Sequence, residues 1–205
     1  MAPTKNLAVG AMIFNQNAGE LNFNYLSALA SASYRVQIGA DRLSILNFGI
    51  QAGVINRNFD ASKARFGNQY NPILGFDPGT GTTETIANSS SLVPDVNVGL
   101  MYFDGNPGKN LNPFIGASVS HLTRPVERFM GAEVKLPMRY TVHGGARIRA
   151  SEILDLTPNA LYLRQGTASE ASVGMYAQMT VNPSSTLLFG ANYRFEDAAI
   201  AYVGF

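Results

Sequence analysis

His121 and His143 are the only histidines of this 205-residue chain, and it contains no cysteine. Neither histidine stands at ligand spacing from another, so the sequence offers no donor set for a transition metal. Ser118-Val119-Ser120-His121 sets hydroxyls beside an imidazole, the raw material of a Ser/His hydrolase. On a strand, however, neighbouring side chains point to opposite faces, so Ser120 and His121 are not expected to meet. Asp104-Gly105-Asn106-Pro107-Gly108-Lys109-Asn110 has the outline of a calcium loop but lacks its alternating acids and terminal Glu, and turn chemistry explains it better. Gly79-Thr80-Gly81-Thr82-Thr83 is not followed by the Gly-Lys-Ser/Thr of a phosphate loop. The sequon at Asn88 matters only in a glycosylating pathway. No active site and no cofactor is expected.

The elements that would position these residues are strands. In residues 46–54, Leu46, Phe48, Ile50, Ala52 and Val54 alternate with Asn47, Gly49, Gln51 and Gly53. Successive side chains of a strand face opposite ways, so one face is apolar and the other wet. The same alternation recurs over 6–15, 22–37, 42–59, 94–103, 113–122, 139–149, 156–164, 170–181, 186–195 and 198–205. That predicts an all-β, antiparallel up-and-down transmembrane barrel with about ten strands in this chain, apolar outside and polar within. The expected lipid-facing residues are Leu46, Phe48, Ile50, Val96, Val98, Leu100, Val173, Met175, Leu187 and Phe189. Those expected to face the lumen are Asn47, Gln51, Asp95, Asn97, His143, Arg147, Arg149, Asn192 and Arg194. His143 is expected to join Asp or Glu partners in a polar network there.

Composition fits such a wall. Charged residues are 14% of the chain, against about a quarter in an ordinary soluble domain. With a net charge of +1 and no basic stripe, nucleic acid is not an expected partner. No uninterrupted apolar run reaches the ~18 residues of a membrane-spanning helix. If connections alternate sides, the two longest, 60–93 and 123–138, fall on one side, matching the long external loops and short periplasmic turns of outer-membrane barrels. Tyr34, Tyr102, Tyr140, Tyr162 and Tyr193 stand near strand ends, where aromatic girdles form.

Several segments resemble the PorP/SprF outer-membrane proteins of the Bacteroidetes type IX secretion and gliding-motility system. Residues 42–53 are similar to the family's RLSFGLxAG strand, 32–36 to its YAYRI run and 92–102 to LPNFGFGLYY. Residues 115–125 are close to VGLSVSHLxxP, and 136–140, 156–162 and 192–195 follow in family order. The Gly/Thr/Ser-rich stretch 77–91 departs from the pattern. The resemblance implies a non-enzymatic barrel of about 14 strands in the bacterial outer membrane, of which this chain would be a piece lacking both ends. Residues 1–7 hold no signal peptide, as such a piece would not. Its implied partners are outer-membrane lipid, a secreted type IX substrate or gliding adhesin, and a periplasmic peptidoglycan-binding lipoprotein with the secretion machinery. The alternatives are a porin-like or lipid-uptake channel, and a soluble β-sandwich in which Phe48, Ile50, Val96, Val98, Val173 and Phe189 would form a dry interior.

Overall fold

The computed structural model describes residues 6–205 apart from 40, 41, 74, 78, 83, 85, 87 and 130. The extreme N-terminus and parts of connections 38–41, 60–93 and 123–138, with Thr83 of the glycine-threonine run, therefore lie outside the described residues. The strands are β1 (Leu7–Ala18), β2 (Phe23–Ile38), β3 (Ser44–Asn58), β4 (Tyr70–Asn71), β5 (Gly75–Phe76), β6 (Ser90–Asp104), β7 (Leu111–Ser120), β8 (Val126–Phe129), β9 (Ala132–Lys135), β10 (Arg139–Arg149), β11 (Leu154–Gln165), β12 (Ala168–Asn182), β13 (Ser185–Arg194) and β14 (Ala198–Gly204). Ten of them form one sheet in chain order, with β4–β5 and β8–β9 set apart as two small hairpins. Each neighbouring pair in the large sheet is antiparallel. The sheet is open: β1 and β14 are its two edges. No described helix is long and apolar enough to cross a membrane.

Register carries the alternation from strand to strand. One row runs Tyr34, Phe48, Leu100, Ala117, Val142, Tyr162 and Ala171. The adjacent row on the other face runs Arg35, Asn47, Met101, Gly116, His143, Leu161, Ser172 and Arg194. Because side-chain period is two, a slip of one residue between any two strands would break both rows. None occurs through the middle of the sheet, and the result is one continuous apolar face and one polar face.

The apolar face is bare. Phe48 is 48% exposed, Ile50 50%, Met175 51% and Phe189 49%, so the dry interior of a soluble sandwich is not formed. The chain exposes 13453 Å², against roughly 9,300 Å² for a folded soluble protein of its 22.0 kDa mass. Among the described residues only Leu29, Ile55, Phe59, Val93, Leu136 and Ala177 are buried apolar side chains.

Strand boundaries differ from the pattern in two informative places. β6 starts at Ser90 rather than 94, since Pro94 sits within the strand opposite Val54 and does not begin it. β7 ends at Ser120 rather than 122, because His121 takes a left-handed φ of 60° that no strand contains. Arg124 follows with φ 44°, and the chain turns back onto the sheet.

Candidate functional site

The polar face is built from the odd positions of β2, β3, β6, β10 and β11, with the even positions of β1, β7, β12, β13 and β14. Asn47, Gln51, Asp95, Asn97, His143, Arg147, Arg149, Asn192 and Arg194 all fall on it. Leu46, Phe48, Ile50, Val96, Val98, Leu100, Val173, Met175, Leu187 and Phe189 all fall on the other. They are spread over the sheet rather than gathered into one centre.

Most of the polar residues are tied to neighbours. Asn192 donates to Asn159 Oδ1 at 3.3 Å and accepts from the Tyr202 hydroxyl at 3.2 Å. Arg147 donates to Asn112 Oδ1 at 2.9 Å and stands 4.0 Å from Asp155. Arg194 pairs with Asp197 and lies 3.8 Å from Glu170. His143 differs from expectation: it has no carboxylate partner among the described residues, and its ring lies against Gly116, where a β-carbon would collide with it. The missing side chain lets the imidazole lie flat on the wall. At the opposite end from the long connections, Asp104 accepts from Lys109 Nζ at 2.6 Å and from the Asn106 amide at 3.0 Å. The 104–110 segment is thus a salt-bridged turn with its carboxylate already engaged. Among the described residues no cluster of three His, Cys, Asp or Glu suits a metal.

The densest constellation stands at the long-connection end, and single-strand reasoning missed it. There β1, β2, β3 and β6 outrun β7, whose pairing with β6 begins only at Val98. The connection after β7 folds across their polar face. Its Leu122 amide donates to the Val96 carbonyl at 2.9 Å, and Thr123 Oγ1 donates to the Pro94 carbonyl at 3.2 Å. His121 Nδ1 is 2.9 Å from Asp95, a carboxylate only 2% exposed, while the His121 amide donates to Asn97 Oδ1 at 3.0 Å. The β8–β9 hairpin then lies over Ile55 and Val93, with Leu136 completing a small core against Tyr25. Phe129 meets Phe23 and Phe59 edge-on, at 6.0 and 5.4 Å between ring centres. Arg57 bonds Glu127, a buried carboxylate, at 2.6 Å. Ser120 and His121 do line one recess, contrary to simple alternation, because the strand stops between them. The imidazole pairs with Asp95, not with the Ser120 hydroxyl, so no hydrolase dyad forms.

The other long connection is held differently. Asp60 caps a 3-10 turn through the Ser62 amide and hydroxyl, at 3.0 and 2.5 Å. Those bonds hold its carboxyl below the usual carboxylate range. A lowered value means that the cap stabilises above the unfolded pKa and is lost as pH falls through the folded one. Arg65 lies over the Phe76 ring and Tyr70 packs beside it, all within the connection itself.

An open antiparallel sheet with one bare apolar face, one wet face and two long connections at one end is the geometry of a membrane barrel wall. Over residues 3–205 the sequence matches the family of the type IX secretion system membrane protein PorP/SprF. The chain belongs to that family. No curated protein matches it. PorP/SprF proteins are secretion-system membrane components, and the features this wall offers a partner are its two faces and its two long connections. Membership also accords with the ordered set of strand motifs from residue 32 to 195, since the match takes in all of them.

Proposed function

We propose that this PorP/SprF chain forms the wall of a non-enzymatic outer-membrane β-barrel that supports type IX secretion or the surface attachment of secreted proteins such as gliding adhesins. The observation that carries the reading is the continuous exposed apolar face, row upon row across ten strands, on a chain of a secretion-system membrane family. Hydrocarbon is the solvent that face requires, and the residues from Leu46 to Phe189 named above would meet it. The polar face then surrounds the lumen, as one wall of a larger barrel of about 14 strands. The strands of the large sheet from β1 to β13 run 10 to 16 residues and so meet or exceed the ~9–11 needed to cross hydrocarbon at a tilt.

The long-connection end is the external one in this reading. Secreted partners would dock on 59–89, while the short turns would meet the periplasmic lipoprotein and the secretion machinery. The hairpin lying over the polar face at the outer end argues against a freely conducting porin. Replacing residues 64–86 by a short Gly-Ser linker in the full-length protein should leave the barrel in the outer-membrane fraction and abolish surface display of its secreted partner. Undiminished display would remove this connection as the docking site.

A further inference from the structure

Arg139, at the start of β10, is a half-buried arginine with no carboxylate partner among the described residues. On the same face Arg57 has Glu127, Arg147 has Asp155, and Arg194 has Glu170 and Asp197. Among the described residues Arg139 makes one long bond, from Nη2 to Ser120 Oγ at 3.4 Å, and its buried Nε has no partner. The carboxylate of Asp95, in the adjoining recess, is engaged by His121. A half-buried guanidinium with a buried N–H left unmet keeps donor capacity to spare, and a bound carboxylate would take it up in the geometry the planar fork matches.

The surroundings are those of a receptor for a chain. Arg139 borders a recess of about 460 Å³ whose polar walls are Ser31, Ser33, Gln51, Asn97, Ser118 and Ser120. Among the described residues no acidic one lines it. Its floor is Gly49 and Gly99, paired with each other across β3 and β6. A β-carbon on Gly49 would meet nothing closer than 4.0 Å, so the space above that glycine is open. Amide and hydroxyl side chains both donate and accept, which suits the alternating N–H and C=O groups of an extended peptide. A single guanidinium matches the single charge of a carboxylate and leaves the second charge of a phosphate unmet.

We propose that this recess is a binding site for an extended peptide segment bearing a carboxylate, with Arg139 as the anchor. A chain terminus or an Asp or Glu side chain would supply the carboxylate, and the test separates the two. The site rests on the barrel reading only for its lumenal position; binding is measured on purified protein, so it can fail while the secretion role stands, and the converse.

The test is fluorescence anisotropy with the full-length protein in detergent and three labelled hexapeptides of Gly and Ser. One ends in a free carboxylate, one is amidated but carries an internal Glu, and one is amidated and neutral. At least one acidic peptide should bind tenfold or more tightly than the neutral one, and the stronger of the two identifies the source. R139Q should weaken it at least tenfold, R139K should recover part of that, and G49L should block binding by filling the recess. Retained heat-modifiable gel mobility establishes that each variant is folded; should R139Q not fold, R139K and G49L decide. Equal binding of all three peptides, no binding at all, or wild-type affinity in the folded variants would overturn the proposal. So would displacement by inorganic phosphate at lower concentration than the peptide.

Discussion

The same strands obey opposite rules in two parts of the sheet. Through the middle of β3, Phe48 and Ile50 face out while Asn47 and Gln51 face in. A few residues on, Ile55 is the inward residue, 1% exposed, and Asn56 and Asn58 face out. β6 follows only in part: Val93 is inward and Ser90 outward, 3.4 Å from Asn56, but Leu92 stays outward and exposed while Ser91 is buried inward. On the outward side of β1 and β2, Asn24 donates to both Asn15 and Asn17, at 2.5 and 2.7 Å. An apolar face follows whichever side is dry. In the middle of the sheet that side is the outside, and at the long-connection end it is the inside, beneath the β8–β9 hairpin. In the barrel reading proposed above, that change of side would mark the level at which hydrocarbon gives way to water on the outer face.

Two isoleucines of β3 test that difference. Ile55→Ala removes a fully buried side chain from a packed cluster and should cost about 2–5 kcal/mol. Urea titration in lipid vesicles, followed by gel mobility, should show the loss, with hydrogen exchange placing it at the hairpin end. Ile50 lies in the middle of the opposite face. Ile50→Arg should cost about 2–4 kcal/mol where that face meets the bilayer midplane, whereas Asn56→Arg, outward but beyond the inversion, should stay within about 0.5 kcal/mol. Equal costs for the two arginines would erase the boundary between the regions.

The sheet itself was legible because period two is a local signal, repeated with little interruption by every strand. Residues 46–54 identify both faces without any knowledge of their neighbours, and the rows through Phe48 and Asn47 follow once register is kept. The hairpin site was not legible in the same way. Arg57 and Glu127 lie 70 positions apart, and neither the pattern of β3 nor that of 123–138 names the other. His121 escaped for a different reason: alternation presumes a strand, and its left-handed backbone ends one. A signal was nonetheless present. Tyr25, Leu29, Ile55 and Val93 are apolar residues at wet positions, concentrated toward one end, and only a second apolar layer over the polar face accommodates them. Arg139 is a case with no local sign at all, since its distinction from Arg147 is the absence of an acid across the sheet.

A smaller effect than either isoleucine change should come from the bond that pins the hairpin. Glu127 is buried while the Arg57 side chain is 31% exposed, so the pair is only partly withdrawn from water and screening takes much of its attraction. The aromatic contacts of Phe129 and the packing of Leu136 remain when the pair is removed. Arg57→Ala should therefore loosen the hairpin by about 1–2 kcal/mol, mostly by leaving a buried carboxylate unpaired. Arg57→Ala combined with Glu127→Gln should be milder than Arg57→Ala alone, because the orphaned charge is gone. Amide exchange across Val126–Phe129 should follow that order while global unfolding of the sheet stays put. An equal response from the middle strands would mean that hairpin and wall unfold as one unit, and that the inverted end is not an independent layer resting on the barrel.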